Sequence, residues 1–179
     1  MTGGWRPGDR RADSASMLRV NQAGEYGATR IYAGQLAVLR RNCPESKLIA
    51  RMAAQEERHL KRFDALMAER RVRPTALQPV WNVAGFALGA MTALISEKAA
   101  LACTDAVETE IDRHYGRQLQ ELGDEDPEFA ADIEAFRAEE VEHRDTAREA
   151  GAALAFGYPL LTAAVRAGCR VAIGLSKRI

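Results

Sequence analysis

Two stretches of the sequence carry a carboxylate and an imidazole one helical turn apart, Glu56-Glu57-Arg58-His59 and Glu140-Val141-Glu142-His143. On a helix, residues i and i+3 share a face, so Glu56 and His59 aim at one point, as do Glu140 and His143. Oxygen and imidazole donors converging in this way suit iron or manganese, whereas structural zinc favours thiolates. One such motif alone means little, because Glu and His are ordinary residues of helix surfaces.

The neighbours of each motif carry more information. Glu56 shares its face with Ile49, Met52, Leu60, Phe63 and Met67, and Glu140 with Phe129, Ile133, Phe136 and Ala147. Both glutamates therefore lie on the apolar stripe that faces a core, where an unpaired carboxylate costs several kcal/mol. Glu57, Glu139 and Glu142 lie off those stripes and read as solvated or rim charges. Two further glutamates pass the same test. Glu25 shares a face with Leu18, Ala28, Tyr32, Leu36 and Leu39, and Glu108 with Leu101, Ile111, Tyr115, Leu119 and Leu122.

The pattern repeats. Glu25 precedes Glu56 by 31 residues and Glu108 precedes Glu140 by 32, so Glu25 maps onto Glu108 at an offset of 83. Glu56 and His59 map onto Glu140 and His143 at 84. The chain reads as two helix hairpins, each contributing Glu…Glu-x-x-His. Paired about an approximate two-fold axis, they would gather four carboxylates and two imidazoles inside a four-helix bundle, the ligand set of ferritin-like di-iron or di-manganese sites. Two divalent cations would neutralise the four carboxylates. The competing assignment pairs the glutamates with arginines such as Arg30, Arg58 and Arg144; it leaves the repeat and both histidines unexplained.

The elements that must position these groups are helical. The chain of 179 residues is alanine-rich, has 6% aromatic residues and contains no run of β-branched residues, which favours helix. Six prolines divide it into pieces of helix length. Asp126-Pro127-Glu128 is a helix start with Asp126 as N-cap, and Pro44-Glu45 is a similar one. The expected helices cover 14–41, 45–71, 80–95, 97–122, 128–150 and 160–177. The fold class is all-α, a ferritin-like four-helix bundle with two additional apolar or amphipathic membrane-interface helices. Residues 1–16 are expected to be a flexible N-terminal segment and 17–179 a single helical-bundle domain.

The two additional helices differ in composition. Residues 83–96 form an uncharged run of 14 residues, short of the roughly 20 that span a bilayer. The segment 159–179 is apolar but carries Arg166 and Arg170 one turn apart, then Lys177 and Arg178, with no acid. Such a helix reads as lying on an anionic membrane surface; the competing reading is a bundle or dimer helix. The formal net charge of zero argues against a nucleic-acid partner. That zero conceals 16 basic against 9 acidic residues in 1–104, 5 against 16 in 105–149, and 4 against none in 150–179. Cys43, Cys103 and Cys169 form neither a disulfide framework nor a C-x-x-C site. The first residues lack the apolar core of a secretory signal.

Around the cluster, Asp105 and Asp112 lie one turn either side of Glu108, where they could orient a ligand imidazole. His114, the one histidine outside the motifs, adjoins Tyr115; the pair could handle substrate or protons, against a default of a surface histidine.

Taken together, NQAGEYGA at 21–28, EERHL at 56–60, WNVAGFALGA at 81–90, ACTDAVE at 102–108 and EEVEH at 139–143 resemble the demethoxyubiquinone hydroxylases of ubiquinone biosynthesis. The similarity runs from about Met17 to the carboxyl end. The resemblance implies a membrane-associated di-iron monooxygenase that hydroxylates the ring of a polyprenyl demethoxy-ubiquinol and yields demethylubiquinol. It implies two iron ions, ferrous when reduced, with O2 as co-substrate and an external reductant. The family's ligands fall on Glu25, Glu56, His59, Glu108, Glu140 and His143, the six residues chosen from face and spacing. The implied partners are the quinol in the bilayer and the anionic membrane surface. A lipid-binding accessory protein, a ubiquinone-biosynthesis complex and a homo-oligomer are compatible with it. The implied location is peripheral, on the cytoplasmic face of a bacterial inner membrane, with a channel between helices admitting the ring. Two other classes remain open at this stage. A ferritin-like iron-storage or metal-handling protein would use the same ligands without lipid-facing segments. A metal-free membrane-interface adaptor would need no ligands.

Overall fold

A computed structural model describes residues 12–41 and 43–178, so the expected N-terminal segment 1–16 lies outside the described residues as far as residue 11. Within them the chain forms α1 (Ser14–Val38), α2 (Pro44–Arg70), α3 (Gln78–Ile95), α4 (Glu97–Leu122), α5 (Pro127–Glu149) and α6 (Tyr158–Ser176), with a short 3-10 turn at Ala152–Leu154. No strand occurs among the described residues. The helix starts follow local chemistry. Asp126 caps α5 by accepting from the Phe129 N–H at 3.3 Å, with Pro127 in the first turn. Asp13 caps α1 by accepting from the Ser16 N–H at 3.0 Å. On α2 the Cys43 sulfur takes this role, 3.3 Å from the Ser46 N–H. Only Ser96 separates α3 from α4; it ends the first helix and caps the second through its hydroxyl.

Helices α1 and α2 form one antiparallel hairpin and α4 and α5 the other, and α1 meets α4 between them. Of three apolar clusters, two fill the four-helix bundle and the third joins α1 and α4 to α6. One takes Tyr32, Ile49, Met52, Leu101 and Ala147. The other takes Leu18, Phe63, Leu66, Leu122, Phe129 and Ile133. In every helix the metal-type residues lie between the contributions to these two clusters, so apolar packing closes the cluster above and below.

Helix α3 makes its most extensive contact with α1, and α6 with α4. The α1–α3 contact is backbone on backbone. A Cβ on Gly89 would lie 1.9 Å from the Ile31 carbonyl oxygen, and one on Gly34 would lie 2.1 Å from that of Phe86. Glycine is required there because any side chain would force the helices apart. The outer faces remain apolar and exposed, with Val83, Met91, Leu94 and Ile95 on α3, Phe156 before α6, and Leu160 and Val171 on α6. No described helix is long and apolar enough to cross a membrane.

The close contact predicts a sharp asymmetry between glycines. Gly89→Ala should destabilise by at least the ~1–3 kcal/mol usual for overpacking, because its clash is with main chain that cannot rotate away. Gly24→Ala, with open space around the added Cβ, should instead gain roughly 0.5–1 kcal/mol of helix propensity. Thermal and denaturant unfolding of the two variants would measure both signs.

Candidate metal centre

Glu25 from α1, Glu56 and His59 from α2, Glu108 from α4, and Glu140 and His143 from α5 meet at the middle of the bundle. None is more than 2% exposed. Their donor atoms fall into two overlapping sets, Glu25–Glu56–His59–Glu140 and Glu56–Glu108–Glu140–His143, and within each set the atoms lie within 4.8 Å of one another. Glu56 and Glu140 belong to both sets, the position of bridging carboxylates. Glu25 with His59, and Glu108 with His143, flank them. Both imidazoles turn Nδ1 inward. His59 Nδ1 lies 3.1 Å from Glu140 Oε1 and 3.6 Å from Glu25 Oε2. His143 Nδ1 lies 3.1 Å from Glu56 Oε1 and 3.3 Å from Glu140 Oε2.

Burying this much like charge distorts every titration in the cluster. Burial raises Glu56 well above the usual carboxylate range, and Glu140, Glu25 and Glu108 add to it. Burial and Glu140 do the same to Glu108, and burial raises Glu140. Burial also opposes ionisation of Glu25, but the neighbouring His59, Glu56 and Tyr115 outweigh it and hold the group low. For His59, burial would lower the value; the adjacent carboxylates of Glu140 and Glu25 override it and raise it to about 10. His143 is pushed down by burial. These shifts are the response of a charged cavity without a counter-charge of its own.

The donor set fits a pair of divalent cations. Glu25 Oε2, both oxygens of Glu56, Glu108 Oε2, Glu140 Oε2 and His143 Nδ1 are buried without a hydrogen-bond partner. Buried polar atoms are nearly always satisfied, so this concentration needs an explanation, and cations at the centre would supply it. The arginine alternative fails. Arg58 reaches Glu139, Arg144 reaches Asp112 and Asp145, and Arg30 lies over the Phe86 ring. No described ion pair joins an arginine to the four central glutamates.

The supporting residues differ from those expected. Asp105 does not touch an imidazole; it accepts from Arg148 at 2.7 Å and from the Tyr158 hydroxyl, tying α5 and the start of α6 to α4. Asp112 accepts from Arg137 at 2.7 Å and Arg144 at 3.1 Å. Both aspartates point away from the cluster because helical rotation carries positions 105 and 112 off the axis of Glu108. The groups that do reach the cluster come from the opposite hairpin. Tyr32 of α1 donates to Glu108 Oε1 at 2.7 Å, and Tyr115 of α4 donates to Glu25 Oε1. Gln55 of α2 meets His143 Nε2 at 2.9 Å, and Glu139 of α5 lies 3.3 Å from His59 Nε2. Glu139 sits at the rim, partly exposed and paired with Arg58, yet reaches inward to His59, while Glu57 and Glu142 are exposed as expected. Tyr32 and Gln55 carried one available signal, their equivalence to Tyr115 and Glu139 under the repeat offset. His114 is 5% exposed and is no surface histidine. It lies 2.9 Å from Gln118 and its ring centroid 6.2 Å from that of Tyr115, and burial, Lys177 and Arg117 lower it to about 4. Two surface clefts, of about 660 and 430 Å³, are lined by none of the six central residues.

Comparison with known proteins agrees with this geometry. The profile of the family described as ubiquinone biosynthesis protein COQ7 matches residues 12–176. A 3-demethoxyubiquinol 3-hydroxylase of Rhodospirillum rubrum is 54% identical over 162 residues, covering 90% of this chain and 76% of the relative. The NADPH-dependent mitochondrial 3-demethoxyubiquinone 3-hydroxylase of Homo sapiens is 51% identical over 173 residues, covering 94% and 79%. The mitochondrial 5-demethoxyubiquinone hydroxylase of Saccharomyces cerevisiae is 41% identical, covering 91% and 77%.

The shifted titrations predict how the cluster takes up metal. Burial raises Glu56 and Glu108, and carboxylate neighbours raise His59 to about 10, so a cation must compete with protons for these groups. Loading the metal-free protein with cobalt(II) in weak buffer should release protons, and apparent affinity should rise with pH. A pH-indicator titration measures both. No release and a flat profile would place the metal elsewhere.

Proposed function

The chain belongs to the COQ7 family of ubiquinone biosynthesis proteins, and from that premise we propose that it hydroxylates the ring of a polyprenyl demethoxy-ubiquinol at a pair of irons held by the central cluster. The observation that carries this reading is the set of buried, unpartnered oxygen and nitrogen donors on Glu25, Glu56, Glu108, Glu140 and His143. In the reaction a ring C–H becomes C–OH, the second oxygen atom of O2 takes up two protons and leaves as water, and an external reductant supplies two electrons. The bound irons would supply the reduction of dioxygen.

The chain's own residues supply the surroundings. Glu25, Glu56, His59 and Glu140 would hold one ion, and Glu56, Glu108, Glu140 and His143 the other. The Tyr32 and Tyr115 hydroxyls each occupy one oxygen of a flanking carboxylate and leave the other free for metal. The two apolar clusters exclude water, which limits loss of oxidant to solvent. Tyr115, in contact with Glu25, and His114 beside it are candidates for proton handling near the ring; low basicity keeps His114 neutral and able to accept.

A polyprenyl quinol resides in the bilayer. The exposed apolar faces of α3 and α6, with exposed Arg170 on α6, suit a peripheral position on an anionic membrane such as the cytoplasmic face of a bacterial inner membrane. These faces favour a quinol enzyme over an iron-storage protein.

The test is expression in a host that lacks its own hydroxylase and accumulates the demethoxy precursor, followed by identification of the quinones. The wild-type chain should restore the hydroxylated product. Glu140→Ala and His143→Ala should lower turnover by about 100-fold or more, as expected when a residue with no substitute is lost from a metal site. Persistence of the precursor with folded, iron-loaded protein would overturn the substrate assignment. Full hydroxylation by Glu140→Ala would overturn the ligand assignment.

A further inference from the structure

The residue preceding each Glu-x-x-His motif, Gln55 and Glu139, occupies equivalent positions at the same offset of 84 that relates the motifs themselves. In the fold these two residues leave their own hairpins and cross. Gln55 on α2 meets the outer nitrogen of His143 on α5, with Oε1 2.9 Å from Nε2. Glu139 on α5 approaches the outer nitrogen of His59 on α2, with Oε2 3.3 Å from Nε2. The two are also bonded to each other, Gln55 Nε2 donating to Glu139 Oε2 at 3.1 Å. Arg58 Nη2, at 3.0 Å, steadies the same carboxylate oxygen from the outside. The result is a chain of four side chains, His143–Gln55–Glu139–His59, that alternates between the hairpins.

Its polarity is set by chemistry. The Gln55 NH2 donates to Glu139 Oε2, so the Gln55 carbonyl faces His143. That carbonyl can only accept, so His143 carries its proton on Nε2 and leaves the Nδ1 lone pair directed inward, where no protein hydrogen bond claims it. Glu139 Oε2 stands 3.3 Å from His59 Nε2 as an ion-pair neighbour, close enough to become its acceptor after a small rotation, and the His59 ring is stacked on Phe136 with centroids 4.1 Å apart. Two carboxylates at these positions would repel. An amide and a carboxylate give a directional link, and the repeat has diverged to one of each.

We propose that Gln55 and Glu139 are a cross-hairpin pair of positioning residues that fixes the ring orientation and tautomer of both imidazoles, so that each offers Nδ1 to the metals. This rests on the metal-centre reading above and adds two residues to it. Neither touches substrate or metal; each acts through a histidine.

Purified metal-free protein, titrated with cobalt(II) and followed by visible absorption, tests the pair without recourse to turnover. Wild type should take up two ions. Gln55→Glu, which sets two carboxylates side by side, should weaken uptake of one or both ions by about 10- to 100-fold, the range typical for loss of an outer partner of a ligand histidine. Glu139→Gln should weaken it less, since an amide keeps an acceptor oxygen beside His59 Nε2. The exchanged pair Gln55→Glu with Glu139→Gln restores one amide and one carboxylate and should recover most of the loss. In the cobalt(II) form, the paramagnetically shifted, exchangeable Nε2–H proton of His143 should exchange faster with D2O in Gln55→Ala than in wild type. Single variants that bind both ions with affinity within about twofold of wild type, or an exchanged pair no better than Gln55→Glu, would overturn the pair alone. Failure of wild type to bind two ions would overturn the metal centre itself, and the pair with it.

Discussion

Four carboxylates and two imidazoles are gathered at the centre of an apolar bundle, and the rest of the structure answers to that constraint. Among the described residues no arginine or lysine forms an ion pair with these glutamates. The protein instead leaves donor atoms unpartnered and lets burial raise Glu56, Glu108 and Glu140 while His59 is held protonated. Such a cavity is expensive as a purely structural feature. It becomes reasonable when cations replace the protons, because the same desolvation that penalises unpaired carboxylates strengthens their attraction for metal.

Geometry follows from this. An approximate two-fold relation between the hairpins places each flanking glutamate opposite a tyrosine from the other hairpin and each histidine opposite Gln55 or Glu139. Every supporting contact of this kind ties α1–α2 to α4–α5, so organising the site and docking the hairpins are the same event. The apolar clusters at either end do the remaining work of holding the helices at a spacing the side chains can bridge. Helices α3 and α6 stand outside this logic. They pack on α1 and α4 yet keep broad apolar surfaces exposed, and α3 approaches α1 so closely that Gly34 and Gly89 admit no side chain.

Much of this was legible in advance. The helix boundaries agree with the expected ones to within about three residues, because Asp126, Pro127 and Ser96 act through neighbours in the chain. The six central residues were identifiable because a carboxylate on an apolar stripe is anomalous and this anomaly occurs four times at matching intervals. What failed was the assignment of supporting roles. Asp105 and Asp112 were attractive because they are close to Glu108 along its own helix, but they serve Arg148, Tyr158, Arg137 and Arg144. Glu139 is the rim charge it looked like, but its own helix gave no sign that from the rim it would reach His59 of the other hairpin.

The distinction has a physical basis. Periodicity within one helix decides which face a residue occupies, so the sequence by itself determined the helices, the repeat and the inward glutamates and histidines. Which group meets which across the bundle depends on the register and rotation of two hairpins, properties of their packed interface. Only the tertiary structure could therefore decide that Tyr32 serves Glu108, that Tyr115 serves Glu25, and that Gln55 and Glu139 serve the histidines of each other's hairpin.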